Sequence, residues 1–286
     1  MASKSILITG CSKGGIGDGL AREFMSRGLR VFAAGRDPAR LAHLHDLGIT
    51  ALILDVTDPA SIATAAETVR HATDGRGLDV LVNNAGVNHV MPFADCAADD
   101  FRRVFDANVV GVFAVTQAFL PLLIDARGTV ANIGSVNEVF LPPFQAAYNA
   151  SKAAVAAFSD TIRTELLPFG VRVVHIKTGA VASNLFRSER PGDKMPPGSM
   201  YSPCKDQVED RSFLEGTRFA TPEEYAKEVA NDLLGKPGPV LWRGPTAGIG
   251  RVLSYFAWPG MMVGCKRVPT GLACSVLILC RRIRST

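Results

Sequence analysis

Short apolar runs alternate with helical stretches along most of this 286-residue chain. Seven strand candidates are given by the runs KSILITG, RVFAAGR, ALILDV, LDVLVNNAG, GTVANIGS, VRVVHIKTG and PVLWRG. Helical stretches are predicted between them, among them one through Leu41, one from Ala98 to Ala126 and one that begins with the capping sequence TPEE at residues 221–224. Apolar strands joined by helices require right-handed crossovers, with helices on both faces of a parallel sheet. The pattern therefore predicts an α/β fold, a doubly wound Rossmann fold with a seven-stranded parallel sheet.

The charge distribution divides the chain near residue 243. No internal repeat or low-complexity linker interrupts residues 1–242, which we expect to form one domain. Residues 243–286 hold seven Arg or Lys and no acidic residue, against 24 basic and 27 acidic residues before them. This apolar basic C-terminal extension has two uncharged stretches, each too short for the roughly 20 residues of a membrane-spanning helix. Peripheral membrane contact through residues 252–286 is one interpretation, and a buried extension or dimer contact is the other.

The start of the chain and its cysteines bear on location and partners. The first strand candidate begins at Lys4, which leaves no room for a signal peptide and predicts a cytoplasmic protein. The basic extension leaves open a peripheral position on endoplasmic reticulum or lipid droplets. Six cysteines without C-x-x-C spacing favour buried thiols over disulfides or a zinc site. No metal and no nucleic acid are expected.

A glycine-rich loop, TGCSKGGIG, lies between the first strand and the first helix. Glycines let the backbone turn tightly and approach a pyrophosphate, and the N–H groups of the helix N-terminus hold its charge. A plain tight turn is the alternative. The loop residues predicted to bind a dinucleotide are Gly10, Ser12, Lys13, Gly15, Ile16 and Gly17.

The end of the second strand indicates which dinucleotide. An acidic residue there binds the free ribose 2′-hydroxyl of NAD. Here Ala34 and Gly35 occupy the expected positions and Arg36 follows them. A guanidinium suits a 2′-phosphate. The sequence therefore predicts NADP (NADPH), with Lys13 as a second cation.

Tyr148 and Lys152 share one face of an alanine-rich helix, in the stretch YNASKAAVAAF. A nearby ammonium favours the phenolate, so we expect Lys152 to lower the pKa of the Tyr148 phenol. Ser135 ends the fifth strand candidate, and in an open α/β sheet ligands bind at that edge. Two hydroxyls at this place suit a carbonyl oxygen, one orienting it and one donating a proton. Alone, Y-x-x-x-K is a common surface pair.

The motifs occur together and in order: T-G-x(3,4)-G-I-G, N-N-A-G at residues 83–86, Ser135 and Y-x-x-x-K. Over about residues 4–184 the sequence closely resembles the short-chain dehydrogenase/reductase family. The resemblance implies an NADP(H)-dependent oxidoreductase that reduces a ketone to a secondary alcohol, with Tyr148 as proton donor, assembled as a homo-oligomer. A non-catalytic NADP-binding scaffold is the alternative from another class.

The resemblance also implies roles for single residues. Asn108 would hold a water that links Lys152 to solvent, with a plain polar helix kink as the alternative. Asp55 would contact adenine, residues 83–86 would line the cofactor, and the segment after the sixth strand would meet the nicotinamide amide. The residues added to the cofactor site in this way are Asp55, Asn83, Ala85, Gly86, Val181 and Ser183.

The substrate side is the least determined part of the sequence. Residues 184–220 are rich in Pro, Ser and charge and lie where the family carries a lid. This segment, the WRG strand end and the extension are most similar to the NADPH-dependent 1-acyldihydroxyacetone-phosphate reductase group, which implies a lipid ketone as substrate. A small-molecule ketone of fungal secondary metabolism is the other reading.

Overall fold

The computed structural model describes residues 3–187 and 194–256. Within them, seven parallel strands form one sheet in the order β3-β2-β1-β4-β5-β6-β7. The strands are β1 Ser5–Thr9, β2 Arg30–Gly35, β3 Thr50–Ile53, β4 Val80–Asn83, β5 Thr129–Ile133, β6 Arg172–Thr178 and β7 Val240–Arg243. The predicted seven-stranded, doubly wound sheet is confirmed.

Helices cover both faces of this sheet. In the described residues they are α1 Ile16–Ser26, α2 Pro59–Ala72, α3 Ala98–Phe105, α4 Gly111–Asp125, α5 Asn137–Phe140, α6 Ala146–Leu166, α7 Asn184–Arg187, α8 Lys205–Glu209, α9 Pro222–Leu234 and α10 Ala247–Phe256. Alternate residues of β1 point to opposite faces. Ile6 packs in a core with α1 and α9, whereas Leu7 packs in a second core with α2 and α4.

The helix predicted from Ala98 to Ala126 is continuous, but residues Asp106–Val110 form a π-helical turn between α3 and α4. Such turns are frequent at functional positions. Among the described helices, the stretch Ala98–Asp125 is the one long and apolar enough to cross a membrane. Much of it is buried against the sheet, as in an ordinary core helix.

One prediction about an element is wrong. The helix expected through Leu41 is replaced by two 3-10 segments, Pro38–Arg40 and Ala42–Leu47, because Asp37 caps the first and Gly48, at φ 73°, ends the second. The domain boundary at residue 242 stays a prediction; α10 follows β7, and Gly250 packs against Trp242. Residues 257–286, and thus most of the predicted membrane segment, lie outside the described residues.

The segment predicted as a lid leaves and rejoins the fold at one place. Val181 and Ala220 form a parallel bridge at its two ends. Between them, Val208 of α8 packs on Val90 and Met91, which follow β4. Residues 188–193 of this segment are not among those described. The predicted N-terminus of α9 is confirmed, with a capping box between Thr221 and Glu224.

Candidate active site

The predicted site residues follow the carboxyl ends of six neighbouring strands. Because the strands are parallel, these ends lie at the same edge of the sheet. The glycine loop follows β1, Arg36 follows β2, Asp55 follows β3, residues 83–86 end β4, Ser135 follows β5, and Val181 and Ser183 follow β6. The structure thus brings all of the predicted groups to one edge.

Ser135 and Tyr148 meet at the centre of this edge. Both side chains are buried, and the Ser135 hydroxyl lies close enough to the Tyr148 phenol to lower the pKa of that phenol. The Asn137 N–H donates to Ser135 Oγ over 3.1 Å, because the backbone turns into α5 directly after the serine. Since Oγ accepts that bond, its own proton is free to be donated towards the phenol or a ligand oxygen.

Lys152 lies one helical turn after Tyr148, as predicted. Its Nζ is 5.7 Å from the centroid of the Tyr148 ring and donates to the Ile133 carbonyl over 2.8 Å. Burial lowers the pKa of Lys152 to about 8, against a smaller raising effect of Glu138. The ammonium therefore titrates close to physiological pH.

The expected lowering of the Tyr148 pKa is wrong. Burial raises the pKa of the phenol to about 12; the Ser135 hydroxyl lowers it and the Glu138 carboxylate raises it further. Desolvation of the phenolate thus decides the direction of the shift. Tyr148 is a protonated phenol at neutral pH, which is the form that a proton donor needs.

Asn108 lies in the π-helical turn and is buried. Its amide exchanges two hydrogen bonds with the backbone of Val87, through Oδ1 at 2.8 Å and Nδ2 at 2.9 Å. Nδ2 also donates to Ser151 Oγ over 3.0 Å, beside Lys152 on α6. The Asn108 side chain therefore joins the segment after β4 to α6. The water that would link Lys152 to solvent stays a prediction.

The glycine loop has the close approaches that its sequence predicts. Gly10 has φ 75°, and a Cβ there would lie 2.8 Å from Ala85 Cα. A Cβ on Gly17 would lie 2.5 Å from the Gly10 carbonyl oxygen, so α1 begins directly against the loop. No side chain among the described residues caps α1 at Gly15. The N–H groups of its first turn are therefore directed at the space above the sheet edge.

A family model described as short chain dehydrogenase matches residues 4–194. This chain belongs to the short-chain dehydrogenase family. It is therefore an oxidoreductase of that family, with the Rossmann-type fold that the sequence predicts.

Relatives of this short-chain dehydrogenase include close fungal sequences. It is 43% identical over 278 residues to a short-chain dehydrogenase/reductase of Pestalotiopsis microspora, with 95% of each chain covered. It is 39% identical over 268 residues to an NADPH-dependent 1-acyldihydroxyacetone phosphate reductase of Schizosaccharomyces pombe, covering 88% of this chain and 89% of the relative. A solved short-chain dehydrogenase of Streptomyces avermitilis superposes with a TM-score of 0.76 at 25% identity, covering 93% and 97% of the two chains.

The strand ends of this short-chain dehydrogenase fit a dinucleotide. The glycine cradle and the uncapped N-terminus of α1 suit a pyrophosphate. Asp55 Oδ1 accepts from the backbone and hydroxyl of Thr57, at 2.9 and 2.7 Å, which fixes the carboxylate where adenine is expected. Arg36 is 70% exposed at the end of β2, with Asp55 Oδ2 3.9 Å from Nη1.

Several supporting residues were missed in the sequence. Thr9 Oγ1 accepts from the N–H groups of Asn84 and Ala85, each at 3.0 Å, and Asn84 Nδ2 donates to the Thr9 carbonyl over 2.8 Å. Thr9 and Asn84 thus join the T-G motif to the N-N-A-G motif, between β1 and β4. Their polar side chains within the two motifs were the available sequence signal. Asn83, in contrast, directs its side chain into the fold, where Nδ2 donates to Thr116 and Asn132.

Asp18, in the first turn of α1, is a second support that was missed. Its buried carboxylate accepts from the Gly14 N–H over 2.8 Å and is contacted by Arg22 and His43. Burial raises the pKa of Asp18, but these three partners outweigh it and the pKa is lowered. The carboxylate holds the glycine loop in place. Its spacing of one helical turn from Arg22 was the available sequence signal.

The segment after β6 packs on the fold and reaches the glycine loop. The Thr178 hydroxyl is hydrogen-bonded to the buried Tyr225 phenol over 2.6 Å. Val181 and Ser183 are both buried beside the sheet edge. Asn184 Nδ2 donates to the Lys13 carbonyl over 2.7 Å, so this segment reaches the glycine loop.

Proposed function

We propose that this short-chain dehydrogenase is an NADP(H)-dependent ketone reductase in which Tyr148 donates the proton and Ser135 holds the carbonyl oxygen. The observation that carries the proposal is the buried pair of hydroxyls, of Ser135 and Tyr148, at the sheet edge. Two donors converging on one point suit an oxygen that gains negative charge. The reaction class follows from that arrangement together with the family.

Each residue has a distinct part in the proposed reaction. The hydride for the ketone carbon would come from NADPH when it is bound. As charge develops on the carbonyl oxygen, the Tyr148 proton moves to it, while the Ser135 hydroxyl donates a hydrogen bond. The phenolate left on Tyr148 is stabilised by the Lys152 ammonium, which lies over the same ring. Asn108 keeps the catalytic helix against the segment after β4.

The preference for NADP rests on the charges at the end of β2. Arg36 is exposed, and Ala34 and Gly35 leave no carboxylate for a ribose 2′-hydroxyl there. The next acidic residue, Asp37, is occupied by the Ala39 N–H at 2.9 Å and by Arg40 at 3.6 Å. A 2′-phosphate thus meets guanidinium groups rather than a free carboxylate. The name of the Schizosaccharomyces pombe relative, which is NADPH-dependent, agrees with this assignment.

For the substrate we propose a ketone with a long apolar part, such as 1-acyldihydroxyacetone phosphate. The turn between Ser135 and Tyr148 carries Leu141, which is 60% exposed, and Phe144, and both have positive φ. Phe144 packs against Val208 and Met91, so this turn adjoins the segment predicted as a lid. Apolar side chains held around a polar centre suit a lipid or polycyclic ketone.

A ketone panel tests the proposed function. NADPH and NADH oxidation are followed with 1-acyldihydroxyacetone phosphate, its dephosphorylated form, and polycyclic aromatic ketones. We expect NADPH-dependent reduction that is fastest with the acylated ketones. Preference for the polycyclic ketones would place the enzyme in secondary metabolism, as the alternative holds. Binding of NADPH without reduction of any ketone would favour the non-catalytic scaffold and contradict the proposal.

We also propose that the basic extension contacts membranes peripherally, at the cytoplasmic face of endoplasmic reticulum or lipid droplets. Residues 257–286 contain five Lys or Arg and no acidic residue. Because α10 packs on the domain, the informative truncation ends at Phe256. The shortened protein should no longer co-sediment with vesicles containing phosphatidylserine, whereas the full chain should. Equal sedimentation of both proteins would contradict this role.

A homo-oligomer is the quaternary state that we propose. Val110 and Phe113 are 54% and 48% exposed at the start of α4. Phe113 makes an edge contact with Phe158 of α6, so the apolar surface spans two long helices. Light scattering of the full chain, compared with Phe113→Glu, tests whether this face joins two copies. A monomeric wild-type protein would contradict the proposal.

A further inference from the structure

A buried carboxylate lies directly behind the candidate catalytic residues. Glu138, on α5, comes three residues after Ser135, and only 3% of its side chain is exposed. Oε2 is 2.9 Å from His175 Nε2, and Oε1 is 2.6 Å from Lys177 Nζ. Both partners project from β6. A carboxylate at such depth requires partners of this kind, since an unpaired buried charge is strongly unfavourable.

The Glu138–His175 pair holds the backbone on both sides of Ser135. The Glu138 N–H donates to the Ser135 carbonyl over 3.2 Å. The His175 ring lies under Gly134, where an added Cβ would be 2.4 Å from Cε1. Gly134, which precedes Ser135, thus packs on the His175 ring. The turn after Ser135 is joined to the same ring through the Glu138 carboxylate.

The same carboxylate acts electrostatically on the catalytic helix. It raises the pKa of the Tyr148 phenol, in the same direction as the larger effect of burial. It also raises the pKa of the Lys152 ammonium, against the larger lowering effect of burial. The titratable groups around it are His175 and Lys177 from β6 and Lys152 from α6. Burial raises the pKa of Glu138, but His175 and Lys177 outweigh this and lower it. The carboxylate is therefore ionised at neutral pH.

The turn that carries Glu138 is also joined to α6, because Asn137 Nδ2 donates to Asn149 Oδ1 over 3.2 Å. We infer that Glu138 is a positioning residue of the active site: held by His175 and Lys177, it fixes the turn that carries Ser135 and places a negative charge beside the helix that carries Tyr148 and Lys152. Its part in catalysis rests on the proposed function, whereas its electrostatic effect belongs to the resting protein. Ketone reduction starts from the protonated phenol, and alcohol oxidation needs the phenolate to accept a proton. The carboxylate therefore acts against the ionisation that alcohol oxidation needs.

The first test needs no substrate. Lysine labelled with 13C at Cε is titrated by NMR in the full ligand-free chain, and the Lys152 signal is assigned from Lys152→Met. Glu138→Gln should lower the pKa of Lys152 by about half a unit or more, because a nearby negative charge is lost. Lys177→Met should raise it, because a positive charge is lost. Thermal melts confirm that each variant is folded.

Asp232→Asn is the matched control. Asp232 is also a partly buried carboxylate held by a cation, with Arg243 Nε at 2.6 Å, but it lies on α9. This substitution should leave the Lys152 titration where it is. If Glu138→Gln also moves it by less than about 0.2 units, the inference is overturned. If Glu138→Gln fails to fold, Lys177→Met decides alone, and an unshifted or lowered pKa overturns the inference.

The second test measures catalysis. In Glu138→Gln the acidic limb of alcohol oxidation with NADP should move to lower pH by about half a unit or more, because the phenol ionises more readily. A merely structural role would lower turnover at every pH and leave the limb in place. If the Lys152 titration shifts but wild-type protein reduces no ketone, the proposed function fails while the electrostatic inference stands. If ketones are reduced but neither titration moves, the inference alone fails.

Discussion

Two parts of the sheet edge are built in opposite ways. Ser135, Tyr148 and Lys152, called the catalytic corner after their proposed role, are no more than 7% exposed. Lys13, Arg36 and Asp55, called the nucleotide corner after theirs, form an open surface, with Arg36 70% exposed. Buried polar groups must find partners within the fold, whereas exposed ones have water. The catalytic corner is therefore fixed before any ligand arrives, and the nucleotide corner takes its final contacts from the ligand.

This difference predicts where substitutions act most strongly. In the catalytic corner the Tyr148 hydroxyl lies among buried polar side chains, so its removal should lower turnover greatly. In the nucleotide corner a charge is screened by water, and its removal should weaken binding by a smaller factor. Tyr148→Phe, Arg36→Ala and Lys152→Met test this contrast, with expected effects that decrease in that order.

Tyr148→Phe should reduce turnover at least about a hundredfold while NADPH binding is kept, because only the proton donor is removed. Single-turnover NADPH oxidation and fluorescence titration of NADPH measure the two quantities. Tyr225→Phe is the control, since it removes another buried phenol, hydrogen-bonded to Thr178, from a place outside the catalytic corner. Near-normal turnover of Tyr148→Phe would show that the proton comes from elsewhere.

Arg36→Ala should weaken NADPH binding by about tenfold and change NADH binding little, because the guanidinium faces a phosphate that only NADPH carries. Arg102 is a matched control: it is also 70% exposed and lies 2.6 Å from a carboxylate, but it is on α3. Arg102→Ala should alter neither affinity. Equal weakening of both cofactors by Arg36→Ala would make that arginine structural.

How far the sequence predicts each corner follows from the same contrast. The strand alternation and the spacing of Tyr148 and Lys152 predict the fold and the catalytic corner, because burial leaves few alternatives for such patterns. The sign of the tyrosine shift was not predictable, since desolvation depends on how deeply the fold buries the phenol. Glu138 and His175 are far apart in sequence, and only the pairing of α5 with β6 brings them together.

The boundaries were the other part that the sequence did not predict. Periodicity in residues 38–47 is compatible with a helix, and the Pro38 and Gly48 positions that limit it to 3-10 segments act through local backbone geometry.

The smallest expected effect is one of stability, and it also separates the two corners. Lys152 is 6% exposed and burial lowers its pKa from 10.5 to about 8, so keeping its charge in the fold at neutral pH is unfavourable. Lys152→Met should therefore raise the free energy of unfolding by about 1–2 kcal/mol at pH 7, after allowing for the lost bond to the Ile133 carbonyl.

The pH dependence of that gain gives the sharper test. Between pH 8 and 10.5 the unfolded chain binds more protons at Lys152 than the folded one, so wild-type stability rises with pH relative to the variant. The advantage of Lys152→Met should be greatest below pH 8 and should shrink towards pH 10 in urea unfolding curves. Lys13→Met, in the exposed nucleotide corner, should show no such pH-dependent gain. A constant difference between Lys152→Met and wild type across this range would mean that the lysine is not held against an unfavourable burial, and the contrast between the two corners would lose its energetic basis.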